Sequence, residues 1–179
     1  ANKLLLHEFK EEIQKGKVYV RGHDREMRPI IHFRPALERL PFDCPSMVQL
    51  LIYSLERALH MMPPDKSQSR FAVLVDCKDF GLNRLPPISF IREQLITIMM
   101  THYPMRLGYV RIVNAGKGFN FMWKIIENML QDRTKNKVSF LSEKEMCREL
   151  LKDIPEHSLP TNLCGTDQWK FDSDEYIHN

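Results

Sequence analysis

Arg70-Phe71-Ala72-Val73-Leu74-Val75-Asp76 is the stretch that decides how this chain folds. Five apolar residues, Phe71 to Val75, stand in a row between two charges. A strand with one wet face alternates apolar and polar side chains. An unbroken run of this length therefore fits a strand covered on both faces, at the centre of a parallel sheet. Its flanks agree. Downstream, Ile88, Ile91, Leu95, Ile98 and Met99 predict a helix from about Pro87 to His102. Upstream, Pro41, Pro45 and Ser46 introduce a long helix with Val48, Leu51, Ile52, Leu55 and Leu59 on one face, stopped by Pro63-Pro64. Further on come a strand, Gly108 to Asn114, a helix, Phe119 to Leu130, and a strand, Asn136 to Leu141. A last helix, Ser142 to Lys152, opens with Ser142-x-x-Glu145, a capping box. At the start, Leu6, Phe9 and Ile13 predict a helix near residues 3–15, ended at Gly16. Lys17 to Val20 reads as a strand closed by a turn at Gly22-His23-Asp24, and Pro29 to Arg34 as a neighbouring strand that could pair with it. Alternation of helix and strand from residue 45 onward predicts an α/β fold with a mostly parallel sheet.

The composition narrows the function classes. A length of 179 residues fits one domain. Hydrophobic residues make up 43% and charged residues 27%, with a net charge of +3, which excludes a disordered tail and a strongly basic nucleic-acid binder. The longest apolar run, five residues, is far below the roughly 20 needed to cross a bilayer. No signal peptide is visible at the start of the sequence, so a cytoplasmic protein is expected. Ten Met and ten Phe suit an adaptable apolar interior or a surface that moulds to a ligand. Cys44, Cys77, Cys147 and Cys164 have long, unequal spacings and read as four reduced thiols. Charge is uneven. Arg106, Arg111, Lys117, Lys124, Arg133, Lys135 and Lys137 outnumber Glu127 and Asp132, whereas residues 153–179 hold six acids against Lys170. The basic stretch could dock an anionic surface or simply be a solvated face.

Catalytic patterns are missing. Asn114-Ala115-Gly116-Lys117-Gly118 opens a helix after a strand, but Phe121 stands where a dinucleotide loop needs its third glycine. No Gly-x-Ser-x-Gly elbow and no His-x-x-x-His pair exists. Asp76 and Asp79 flank Cys77 and Lys78 at a strand end, where a loop-capping Asp or a pair with Lys78 is the plainer reading. That leaves no catalytic residue, no metal ligand and no cofactor to nominate. The stripe Phe119, Met122, Trp123, Ile126, Met129 and Leu130 has the spacing of one helical face. It either packs on the sheet or covers a cavity and moves.

Several segments together resemble the CRAL-TRIO lipid-binding domain, over about residues 10–167. They are Gly16 to Asp24, Arg28 to Arg34, Phe71 to Asp76, Tyr103-Pro104-Met105-Arg106-Leu107-Gly108, Ile112-Val113-Asn114-Ala115, Phe119 with Trp123, and Thr134-x-x-Lys137-Val138. Leu159-Pro160 and Gly165-Thr166 resemble the closing motif. The resemblance implies a sheet floor and flanking helices around a hydrophobic cavity that holds one lipid, closed by a gate helix. It implies residues 1–15 as the last helix of a mostly missing helical lobe, 16–167 as the lipid-binding domain, and 168–179 as an acidic extension. Phe71, Val73 and Val75 would line the floor, and Phe119, Met122, Trp123, Ile126, Met129 and Leu130 the gate. Met105, Arg106, Thr134 and Lys137 would fall near the head group.

This sequence departs from the family pattern in ways that bear on the ligand. Met105 stands where phosphatidylinositol-binding members carry Glu, while Thr134 and Lys137 match. Phe71 and Val73 stand where phosphatidylcholine-transferring members carry hydroxyls. Gly116 replaces a common Pro, and Cys164 replaces the first glycine of a pair. The resemblance thus implies a non-enzymatic lipid carrier. Its ligand would be an apolar or anionic lipid, its contact a transient peripheral one with membranes, and fused domains are to be expected in the full-length protein. Two other readings remain: a protein-interaction or regulatory module on the same fold, and a nucleotide-dependent enzyme built on Gly116 and Gly118.

Overall fold

The apolar run becomes strand β3, Phe71–Asp76, in the middle of a five-stranded sheet. The structure is a computed structural model that describes residues 10–38, 40–63 and 70–178. Leu6, Phe9 and Pro64 lie outside the described residues, so of the first expected helix only α1, Lys10–Gln14, is seen. The sheet order is β1 (Val18–His23), β2 (Pro29–Phe33), β3, β4 (Leu107–Val113) and β5 (Val138–Phe140). β1 pairs antiparallel with β2, and β2 to β5 run parallel. β1 runs through the expected turn at Gly22, where the backbone takes φ +73° and the register shifts before His23. Glycine carries that left-handed conformation without a Cβ penalty.

The crossovers are α2 (Cys44–His60), α3, α4 (Lys117–Glu127) and the one-turn α5 (Asp132–Lys135). α3 joins Ile88–Phe90, a π-helical Ile91–Ile96 and Thr97–His102. Parallel neighbours in sequence order, linked by same-handed crossovers, put all linking helices on one face. Alternation divides β3 accordingly. Phe71 and Val75 are buried with Met47, Leu50 and Leu55 of α2, Phe90 and Ile91 of α3, and Phe119 and Met122 of α4. Ala72 and Leu74 are buried on the opposite face with Leu150 of α6 (Glu143–Asp153), and with Ile154, Leu159 and Leu163 beyond it.

Four expectations are corrected. The core face of α2 is centred on Met47, Leu50, Ser54, Leu55 and Ala58; of the expected stripe Leu55 is buried, Val48, Leu51 and Leu59 pack against the core partly buried, and Ile52 is exposed. Ser54 is tolerated there because its hydroxyl donates to Leu50 O (2.8 Å). Ile88 of the α3 stripe is likewise exposed. Helix α4 stops at Glu127, so Met129 and Leu130 lie in the turns that follow; Asn128 Nδ2 donates back to Lys124 O (2.8 Å) at the break. Finally, Cys147 on α6 and Cys164 beyond Leu163 form a disulfide across a Cα separation of 5.4 Å, while Cys44 and Cys77 are free. Packing of Leu150, Leu159 and Leu163 on one core brings these two cysteines together.

The C-terminal segment folds back over β1. Trp169 and Phe171 pack on Tyr19, with ring centroids 5.5 and 5.6 Å away. Tyr176 of α7 (Ser173–His178) accepts a hydrogen bond from Val20 N (2.9 Å). Nearby, buried Lys17 lies between Glu12 and Glu38 and ties α1 to the sheet.

Candidate functional site

The expected site residues all lie on or beside the helix-covered face of the sheet, at three levels along the strands. The carboxyl end of the strands is tied shut. Asp76, at the tip of β3, accepts from Asn114 Nδ2 (2.7 Å), Lys78 N (3.1 Å) and Asn162 Nδ2 (3.4 Å). The carboxylate is therefore a clamp between loops, and its partner at Lys78 is the backbone amide. Burial and the neighbouring Asp76 push the Cys77 thiol up to about 12, which leaves no reactive thiolate at neutral pH.

Helix α4 starts from this clamp. A Cβ on Gly118 would lie 3.3 Å from Leu82 N and 3.5 Å from Phe80 O, so two backbones touch there. Phe119 meets Phe80 and Phe140 edge-on, with centroids 5.9 and 6.2 Å apart, and Trp123 meets Phe140 at 5.4 Å. Burial then fades along the helix. Phe119 and Met122 are buried, whereas Trp123, Ile126, Met129 and Leu130 are only partly covered. Phe121 faces outward, 55% exposed, with Lys117 and Lys124 exposed one turn to either side.

The middle level is loosely filled. Register aligns Ile31, Val73, Val110 and Val138 in one row across the four parallel strands. A row inside a helix-covered face should be fully buried. Phe71 and Val75, to either side of Val73 on the same strand, are 0% and 6% exposed. Val73, Val110 and Val138 are nevertheless only partly buried. The same holds for Leu95, Ile96, Ile98 and Met99 of α3 and for Trp123 and Ile126 of α4, which pack against this cluster. Apolar side chains of the sheet and of both helices thus share this level without reaching full burial. A hollow of about 620 Å³ lies at the end of β1 and is lined by Arg21, His23, Asp24, Arg25 and Asp167 among others. Its polar walls suit no acyl chain.

The amino end of the strands carries the expected head-group residues. Met105 is 56% exposed at φ +64°, and Arg106 O accepts from Phe71 N (2.9 Å). Thr134 lies in α5, where its carbonyl accepts from Lys137 N (3.1 Å). Lys137 Nζ donates to Leu107 O (2.6 Å), which brings it beside Arg106. Burial, and then the charges of Arg70 and Arg133, hold the Lys137 ammonium below the usual lysine range. Arg106, Thr134 and Lys137 therefore gather at one edge, far along the strands from Phe119. The expected site did not include Val110, Val138, Arg70 or Arg133, although Arg133 stood in the basic stretch that could dock an anionic surface. Alternation within β4 and β5 pointed to the valines, and the cation directly before β3 to Arg70.

Comparison with known proteins agrees with this architecture. The profile of the CRAL/TRIO domain matches residues 13–165. A CRAL-TRIO domain-containing protein of Schizosaccharomyces pombe is 26% identical over 98% of this chain and 16% of its own length. Phosphatidylinositol transfer protein CSR1 of Eremothecium gossypii is 30% identical, covering 90% of this chain and 36% of its own. The Sec14 cytosolic factor of S. pombe is 30% identical over 68% of this chain and 44% of its own. The chain thus spans less than half the length of each of these relatives. The crystal structure of Sfh5 superposes with a TM-score of 0.70 at 15% identity, covering 93% of this chain and 62% of that one. A match over residues 13–165, together with the parallel sheet and its helix-covered face, places this chain in the CRAL/TRIO domain family.

Proposed function

We propose that this domain carries one lipid between the sheet face and helices α3 and α4, and passes it to or from membranes. The observation that carries this reading is the half-buried run Val73, Val110 and Val138 on the helix-covered face, beside fully buried Phe71 and Val75 on the central strand. Acyl chains that replace water along such a row gain about 0.8 kcal/mol per CH₂, so roughly 30 methylenes contribute on the order of 20 kcal/mol. That gain is what a lipid needs to leave a bilayer. The name of one relative, phosphatidylinositol transfer protein CSR1, accords with a lipid ligand.

The residues take the following parts. Val73, with Val110 and Val138, forms the floor, and Phe71 and Val75 brace it from fully packed positions on either side. Phe119 anchors the gate helix to Phe80 and Phe140, while Met122, Trp123 and Ile126, with Met129 and Leu130 after it, cover the tails. Arg106, Thr134 and Lys137 meet the head group, with Met105 at the rim. Phe121, between Lys117 and Lys124, offers an apolar tip within a cationic collar to an anionic bilayer. The reading includes no catalytic step. Among the described residues no group of His, Cys, Asp and Glu could hold a metal, and no helix is long and apolar enough to cross a membrane. Incubation with vesicles, re-isolation and solvent extraction tests the reading. About one lipid per chain is expected, and an extract free of lipid would overturn it.

A further inference from the structure

A basic residue stands immediately before each of the four parallel strands: Arg28 before β2, Arg70 before β3, Arg106 before β4 and Lys137 before β5. Because these strands are consecutive neighbours, the four cations line the amino edge of the sheet in a row. Their charges are not equally neutralised. Arg28 pairs with Asp24 (2.5 Å) and Glu26 (3.2 Å). At the other end, Arg70, Lys137 and Arg133, the last from the one-turn α5, have no carboxylate partner among the described residues. The acid beside Arg133, Asp132, is taken by Lys135 (3.2 Å).

Lys137 is fixed at this corner. One of its three N–H donors is held by Leu107 O (2.6 Å), which leaves two for a ligand. The two guanidiniums lie near enough for their charges to bear on the ammonium. Three cations without an acid repel one another, so the corner gains from an anion, and gains more as that anion's charge rises. A phosphodiester brings a single negative charge and leaves the corner strongly cationic. A phosphomonoester brings between about −1.5 and −2, with three terminal oxygens that suit forked guanidinium donors.

We propose that Arg70, Arg133 and Lys137 form a phosphomonoester site, which makes this domain select lipids with a terminal phosphate over lipids whose only phosphate is a diester. The proposal rests on the lipid-carrier reading above. The phosphate could belong to a lipid or to a soluble phosphomonoester. Lys137 directly precedes Val138 of the half-buried apolar row, and a molecule spanning both features is a lipid.

The test is uptake from vesicles holding phosphatidic acid, phosphatidylinositol and phosphatidylcholine in equal amounts, at neutral pH and fixed salt. Bound lipid is extracted and the species are compared within each sample, so a loss of folded protein leaves the ratio intact. Phosphatidic acid is expected to exceed phosphatidylinositol about tenfold. Arg70→Gln and Arg133→Gln should each lower that ratio about tenfold. Equal uptake of all three, or ratios indifferent to both variants, would overturn the inference and leave the carrier reading standing. Uptake of no lipid at all would overturn both. Glycerol 3-phosphate as competitor separates the sources. Failure to displace bound phosphatidic acid supports the lipid. Displacement at matching concentration keeps the phosphomonoester chemistry and assigns it to a soluble ligand.

Discussion

His32 and Val73 sit on the same sheet and lead to different kinds of prediction. His32 is buried, stacks on Tyr19 with ring centroids 4.7 Å apart, and donates Nε2–H to Arg21 O (3.1 Å). Burial, the largest influence, drives its pKa from the ordinary 6.5 down to about 4, so the imidazole is neutral in the fold. The unfolded chain takes up a proton below about 6.5 that the folded chain refuses until about 4. The stability is therefore full above pH 6.5 and is lost as pH falls through that window, by up to about 3 kcal/mol. Urea unfolding at stepped pH should show this slope in the parent and a flattened one in His32→Gln. Equal slopes would refute the assignment. Val73 is a test of empty space. Val73→Phe in a packed core costs about 1–3 kcal/mol. Beside a ligand space it should leave stability nearly unchanged and reduce lipid uptake severalfold, which denaturation and vesicle assays measure side by side.

At the scale of elements, α4 is attached at one end and loosely covered at the other. Its first turn touches the Phe80–Leu82 backbone through Gly118, whereas a Cβ on Gly116 would meet nothing within 4 Å. Gly118→Val should therefore push the helix off its seat and cost about 1–3 kcal/mol. Gly116→Ala, at φ −87°, gains about 0.4–1 kcal/mol by restricting the unfolded chain and loses a similar amount because Ala is a poor N-cap, so stability should hardly change. Thermal melts decide the pair, and equal shifts would mean that α4 is not seated there. The elements themselves were legible in the sequence wherever one period dominated. Phe71 to Val75 read directly as the central strand, and the order of crossovers followed. The face of α2 did not, because apolar residues occur on both sides of that helix and Ile52 competes with Met47 and Leu50 in the pattern. The end of α4 was equally hidden, since Met129 and Leu130 continue the apolar stripe past the point where the backbone breaks.

Across the whole molecule, contacts between distant segments escaped the sequence for a related reason: no local period encodes them. The pairing of Cys147 with Cys164 arises where α6 and the closing turn share a core, and the return of Trp169, Phe171 and Tyr176 to β1 is settled by the same kind of packing. A cross-link with a sequence separation of 17 contributes about 3 kcal/mol through loop closure. Reduction should then lower Tm by roughly 10 °C. Cys147→Ser should melt at the reduced value and ignore the reductant; an insensitive parent would contradict the link. The candidate site was half legible. The strand and the stripe were read as apolar segments, and both lie on the helix-covered face of the sheet. That Arg70 and Arg133 have no carboxylate partner among the described residues emerged only when four strand ends were placed side by side.

The central claim is that the half-buried row of Val73, Val110 and Val138 borders a space for one lipid. Native mass spectrometry of the protein after incubation with mixed phospholipid vesicles tests it most directly. The account predicts a dominant species heavier than the bare chain by the mass of one lipid, which dissociates on activation in the gas phase. A spectrum holding only the bare chain after that incubation would contradict it.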